Sequence, residues 1–187
     1  MYRTGREEIE EISKVLISKQ WFRVGDPAKG HLQETVRFEH EFSRYTGAKF
    51  AIFISGGGTA ALTCALAGLG IGPGDEVIVP AFTWMSTATC VLTVGAIPVL
   101  ADIDETMTLD PDDFEKRISH NTKAVIPVHM SGRVCNMDKI LAVANKHKIA
   151  VIEDSCQAIG AEYKGHKTGT FGNAGAFSLN WYKIISS

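Results

Sequence analysis

The sequence predicts an α/β fold of three layers, a mainly parallel sheet with helices on both faces. Two observations carry this. From Lys49 onward, short apolar runs alternate with segments of helical periodicity, the order that builds strand–helix–strand crossovers. The runs are also apolar at nearly every position, as in Ala124–Val128 and Ala150–Glu153, which suits strands covered on both sides. With 187 residues, 45% of them apolar, the chain can build one substantial core. A single domain over 1–187 is expected, with 1–47 as an N-terminal helical segment.

The elements follow in order. From Glu7 to Lys19, Ile9, Ile12, Leu16 and Ile17 recur at helical spacing on a charged segment. Gly25, Asp26, Pro27 and Gly30 break it. A second amphipathic helix is expected over roughly Leu32 to Tyr45, with Val36, Glu39 and Phe42 in register and Gly47 as its stop. Strand and helix then alternate: Phe50–Ile54 with Thr59–Leu69, Glu76–Val79 with Met85–Thr93, Ile97–Leu100 with Pro111–Ile118, and Ala124–Val128 with Met137–Lys146. Asp110 before Pro111, and Asn136 before MDKILAVANKHK, are helix starts with side-chain caps. The strand Ala150–Glu153 follows. Past Cys156 the pattern loosens into the Gly-rich AEYKGHKTGTFGNAG, then a last apolar strand, Ala176–Leu179.

Nineteen Lys and Arg stand against 21 Asp and Glu, so there is no basic excess of the kind nucleic-acid binders carry. The opening MYRTGREEIEEI is too polar for a secretory signal, and runs such as AVIPV and AIFI are too short to cross a bilayer. A soluble, cytoplasmic protein without nucleic-acid or membrane partners is expected. Cys64, Cys90, Cys135 and Cys156 lack CxxC or CxxH spacing, so they are read as buried, reduced thiols, and no metal site is expected. Two glycine-rich runs fail as nucleotide loops. GLGIGPG lacks the third glycine of GxGxxG and lies after a helix, and Gly160–Thr168 has His166 where a P-loop needs lysine.

In open α/β sheets, ligands bind beyond the carboxyl ends of the strands, and four such positions carry chemistry. SGGGTAAL opens from a strand into a helix, so Gly57, Gly58 and Thr59 can offer N–H groups to a phosphate; an ordinary strand-to-helix turn has the same composition. Trp84 lies past a strand end, where its ring can stack on a flat cofactor or join the core. Asp154 ends the VIED strand and can cap a turn or pair with a pyridinium nitrogen. Lys183 would be an ordinary surface lysine but for Trp181, Tyr182, Ile184 and Ile185 around it, which would desolvate it and favour the nucleophilic amine. Together they describe a phosphate cup, a stacking ring, a pyridinium partner and a Schiff-base lysine.

SGGGTAALTCAL, GDEVIVPAFTWMSTA, VHMSGRVCNMD, VIEDSCQAIGAEYKG, TGTFGNAGAFSL and NWYK stand in the order found in one group of enzymes. From about Trp21 to its end, the chain resembles the DegT/DnrJ/EryC1/StrS family of fold-type-I aminotransferases. The resemblance implies pyridoxal 5'-phosphate (PLP) as cofactor, a keto-sugar acceptor, often nucleotide-linked, and L-glutamate or L-glutamine as donor. It implies that Lys183 holds the cofactor and shuttles a proton, Asp154 binds the pyridine nitrogen, Gln157 the ring hydroxyl and Trp84 stacks on the ring. Gly58, Thr59 and Ser178 would hold the phosphate. The family usually has serine or asparagine where this chain has Gly57, which leaves backbone donors only. Members continue past the lysine into a small C-terminal domain, so this chain is expected to stop before it, and the full-length protein to be a homodimer. Two other readings stay open. One is a deoxysugar dehydratase-type relative, which carries histidine at the lysine position; the other is a cofactor-free scaffold or regulatory protein of the same fold.

Overall fold

A computed structural model describes residues 5–185, in two compact units, Met1–Phe53 and Ile54–Ser187. In the first unit, α1 spans Arg6–Ser18 and α2 spans Glu34–Thr46. No residue of α1 is buried. The buried Glu39 of α2 organises this unit. Its carboxylate accepts from Arg23 Nη2 at 2.6 Å and Nε at 3.1 Å, and from the Phe53 backbone N–H at 2.7 Å. The Arg23 guanidinium holds the Glu39 carboxyl below the usual carboxylate range.

The second unit contains α3 (Gly57–Gly68), β1 (Glu76–Pro80), α4 (Ser86–Thr93), β2 (Ile97–Ala101), α5 (Pro111–Arg117), β3 (Thr122–Val125), α6 (Met137–His147), β4 (Ala150–Asp154), β5 (Glu162–Tyr163), β6 (His166–Lys167) and β7 (Ala174–Ala176). The sheet order is β2-β1-β3-β4-β7, and all four pairings are parallel. This is the three-layer α/β architecture expected. The caps form as read: Asp110 accepts from Asp112 N–H at 2.9 Å and Asn136 from Lys139 N–H at 3.3 Å.

Successive strand residues face opposite layers. Val77, Val79, Ala124, Ile126 and Ile152 pack with Leu62 and Leu66 of α3 and Cys90 and Val91 of α4. Ile78, Val125 and Val151 pack with Phe114 of α5 and Met137, Ile140 and Ala144 of α6. Double burial is why the middle residues of these strands are apolar toward both layers.

Five expectations about the fold need correction, the first being the strand expected at Ala124–Val128, which forms at Thr122–Val125. The strand expected at Phe50–Ile54 does not form; Phe50 and Ile52 are exposed, and the Phe53 N–H goes to the Glu39 side chain instead of a ladder. The last strand is Ala174–Ala176, two residues before the expected Ala176–Leu179, because pairing with Ile152–Asp154 sets it. Residues 162–167 form the antiparallel hairpin β5–β6 where a loose stretch was expected. Cys64 is exposed, since α3 turns Leu62 and Leu66 to the sheet and the position between them away from it. Among the described residues no helix is long and apolar enough to cross a membrane, and no group of three or more His, Cys, Asp or Glu could hold a metal.

Candidate active site

The carboxyl ends of β1, β4 and β7 and the start of α3 converge on one cleft that is open to solvent. All eight candidate residues line it: Gly57, Gly58, Thr59, Trp84, Asp154, Gln157, Ser178 and Lys183.

Asp154 is the last residue of β4 and only 6% exposed. Its N–H donates to the Pro127 carbonyl at 2.9 Å, and its carbonyl accepts from the His129 N–H at 3.1 Å. Its carboxylate accepts from Thr87 Oγ1 at 2.9 Å on Oδ2 and from the Cys156 N–H at 3.1 Å on Oδ1. A carboxylate so held borders the cleft as a fixed charge, each oxygen keeping acceptor capacity for a ligand.

The start of α3 has the close approach a phosphate cup needs. At Gly58 an added Cβ would lie 2.4 Å from Cys156 Sγ and 3.4 Å from Ser178 Cβ, so any larger residue would push β4 and β7 away from the helix start. Thr59 Oγ1 donates to Ser86 Oγ at 2.9 Å, joining the first turns of α3 and α4. Ser178 is buried at the far side of the same opening. Trp84 is 59% exposed, which excludes a core tryptophan and leaves its ring face available in the cleft. The Gln157 Oε1 accepts from the Ser131 N–H at 3.2 Å, leaving the side-chain NH₂ as the free donor.

Lys183 is half-buried; its N–H donates to the Asn180 carbonyl at 2.8 Å and its Nζ sits 5.1 Å from the Tyr182 ring centre. The apolar envelope expected around it does not close. Trp181 and Ile184 are 68% and 65% exposed, and Tyr182 and Ile185 are exposed as well. These residues lie beyond the last strand, so the sheet does not fold them onto the amine.

Three further groups were not legible beforehand. Thr87 sits in a helix, where threonine has many roles. Glu153 and His129 form a buried pair directly beside Asp154. Glu153 accepts from the N–H groups of Gly169, Phe171 and Gly172 at 2.6–2.9 Å and from His129 Nε2 at 3.0 Å. His129 Nδ1 accepts from the Cys135 N–H at 3.2 Å, so the histidine proton is on Nε2. This knot ties the 169–172 turn to β4 and so places β7, which leads to Ser178. A charged residue within an apolar strand was its one sequence signal. Burial first, and the Asp154 charge second, push the Cys156 thiol far up; the same causes push Cys90 up to about 12. Both thiols are inert near neutral pH.

The chain matches the DegT/DnrJ/EryC1/StrS aminotransferase family over residues 3–187. It is 42% identical over 180 residues to an L-glutamine:2-deoxy-scyllo-inosose aminotransferase of Streptomyces kanamyceticus, covering 96% of this chain and 42% of that one. It is 48% identical over 153 residues to the GDP-perosamine synthase of Caulobacter vibrioides, covering 81% and 41%. The solved PLP form of Spr1654 from Streptococcus pneumoniae superposes with a TM-score of 0.86 at 31% identity, covering 98% of this chain and 49% of that one. The chain therefore spans less than half the length of each of these proteins. With its parallel sheet, its carboxyl-edge cleft and a match over nearly its whole length, this chain belongs to the DegT/DnrJ/EryC1/StrS aminotransferase family.

Proposed function

We propose that this chain provides the PLP-binding part of an aminotransferase that moves an amino group from L-glutamate or L-glutamine to a keto sugar. The observation that carries the reading is convergence: residues from Gly57 to Lys183, 126 positions apart in sequence, line one cleft at the carboxyl edge of one sheet. The donor set fits PLP. An anionic group is accommodated where Gly58 lets the α3 start approach β4 and β7, a flat ring beside Trp84, and a basic ring nitrogen at the tethered Asp154 carboxylate.

When bound, PLP supplies the electron sink that makes the substrate Cα–H acidic. Each residue then has a defined task. Asp154 keeps a proton on the ring nitrogen by holding negative charge beside it. The Gln157 NH₂ donates to the ring oxygen, Trp84 covers one ring face, and the N–H groups and hydroxyls of Gly58, Thr59 and Ser178 hold the phosphate. Lys183 would hold the cofactor covalently and, once released, its Nζ would take up the proton that leaves the substrate Cα. The full set disfavours a scaffold that has abandoned cofactor binding, and lysine at position 183 disfavours the histidine-bearing dehydratase branch.

The likeness to GDP-perosamine synthase supports a nucleotide-linked acceptor, and the likeness to the inosose enzyme supports a second reading, a keto-cyclitol. We further propose that the full-length protein is a homodimer. The cofactor reading is tested by borohydride reduction of the PLP-loaded protein followed by peptide mapping. A phosphopyridoxyl group on the Lys183 peptide is expected; label on another lysine with Lys183 unmodified overturns the assignment. Turnover of L-glutamate or L-glutamine against a panel of nucleotide-linked keto sugars and keto-cyclitols decides the acceptor.

A further inference from the structure

Thr87 has no part in the roles above. It is 0% exposed within α4, and its Oγ1 donates across 67 residues of sequence to Asp154 Oδ2 at 2.9 Å. Helical threonines ordinarily turn the hydroxyl back to the carbonyl four residues earlier. Thr63 and Thr93 do so in this protein, donating to Thr59 and Thr89 at 2.9 Å. Thr87 does not. Position 83, four residues earlier, instead places the Thr83 hydroxyl 3.4 Å from Thr87 Oγ1, so Thr87 accepts there while its own proton goes to the carboxylate.

We propose that Thr87 is a positioning residue for Asp154: its hydroxyl fixes the plane of the carboxylate so that it faces a ring nitrogen bound in the cleft. This rests on the reading of Asp154 as the ring's partner. The Cys156 N–H tethers Oδ1 and Thr87 tethers Oδ2, so the carboxylate cannot rotate away without losing both. A donated hydrogen bond favours the charged form of a buried carboxylate. Without it, the carboxylate keeps only the tether on Oδ1 and can turn out of the plane that faces the ring nitrogen, which weakens the electron sink. The ionisable groups around this corner include Cys90, Cys156, Lys183 and the buried Glu153–His129 pair. Both thiols stay protonated near neutral pH, and the Cys156 thiol, a weak donor, also reaches the Asp154 carboxylate, so Thr87 is its hydroxyl donor rather than its sole one.

The test uses the full-length protein loaded with PLP, comparing Thr87→Val and Thr87→Ala, which lack the hydroxyl, with Thr87→Ser, which keeps it. The readouts are kcat, KM for the amino donor and the pH titration of the cofactor's visible absorption band. Val and Ala should lower kcat about tenfold with KM held within about twofold, and should displace the titration midpoint. Ser should restore both. In an Asp154→Asn background, Thr87→Val should cost less than about twofold more, because both changes act on one interaction.

Serine as impaired as valine would show a packing role and overturn the proposal. So would an unmoved titration midpoint in Val and Ala, or losses that multiply with Asp154→Asn. Should Val and Ala not fold, Thr87→Cys, which keeps a weak donor but lacks the methyl group, takes their place: an intermediate kcat and midpoint support the proposal, and wild-type values overturn it. A wild-type protein that takes up PLP with no visible band and no label on Lys183 overturns the cofactor reading, and the role of Thr87 with it. A normal wild-type band with unaffected variants overturns the role of Thr87 alone.

Discussion

Asp154 and Lys183 border the same cleft, yet Asp154 is 6% exposed with both carboxylate oxygens tethered, whereas Lys183 sits in a segment whose apolar side chains stand open to solvent. Around Asp154 the structure is dense with bonds: β4 pairs on both edges, and the neighbouring Glu153 carboxylate accepts three backbone N–H groups and a histidine. Around Lys183 one backbone bond, to Asn180, and the Tyr182 ring account for the contacts named above. The difference follows the two tasks proposed. A charge that must stay in one place has to be buried, and burial is tolerable only with donors to meet it. An amine that must swing between cofactor and substrate is better carried on a segment with few tethers.

The sharpest break of this comparison comes from the lightly held side. Lys183→Ala should abolish turnover, by roughly 10³-fold or more, because it removes both the covalent anchor and the proton carrier, while the melting temperature stays within a few degrees, as expected for a half-exposed residue. A loss below tenfold in a glutamate turnover assay would count against the role.

Glu153→Gln tests the densely bonded side without touching the cleft. An amide NH₂ would then face either two N–H donors of the 169–172 turn or a turn N–H together with His129 Nε2–H. Switching the histidine tautomer only moves the conflict to the Cys135 N–H. The expected cost is about 3 kcal/mol, or roughly 10 °C in thermal melting; an unchanged melting point would mean that the knot does not hold β7 in place.

Asp154→Asn should leave that melting point nearly unchanged and lower kcat at least ~10²-fold, since a neutral amide cannot hold the ring nitrogen protonated. An unchanged rate with unchanged PLP affinity would reduce Asp154 to a turn cap. The smallest effect is expected at Trp84, an exposed ring whose packing role is minor: Trp84→Ala should weaken PLP binding by about 1 kcal/mol, near fivefold, in a fluorescence or absorbance titration. A loss of folding on that substitution would mean that the ring is structural.

Much of the fold was readable because its central strands are buried on both faces, and the edge strand β2 is apolar although half-exposed. Glu76–Val79, Ile97–Leu100 and Ala150–Glu153 are apolar runs bounded by turn residues, and each is a strand within one residue of its expected end. Phe50–Ile54 has the same composition but no strand partner, so propensity alone misleads there. The reverse error occurs at Ala174–Ala176, where small residues carry no strand signal. An added Cβ at Gly175 would lie 2.3 Å from the Gly169 carbonyl oxygen, so the small residue is demanded by the 169–172 turn packed on it, a neighbour that local pattern does not reveal. The cleft residues were readable for a geometric reason: in a parallel sheet every strand end lies on one edge, so residues just past predicted strands are brought together by topology.

By itself, then, the order of apolar runs and turn residues determined the layered α/β fold and the set of side chains collected at its carboxyl edge, because both depend on position along the chain. Three things waited for the tertiary structure: the Thr87–Asp154 bond across 67 residues, the Glu153–His129 knot beneath the 169–172 turn, and the exposure of the residues flanking Lys183. Each depends on which distant groups meet and on what covers them. A hydroxyl, a carboxylate or an indole has the same local pattern whether it is packed, bonded or bare, and only the packed chain distinguishes these states.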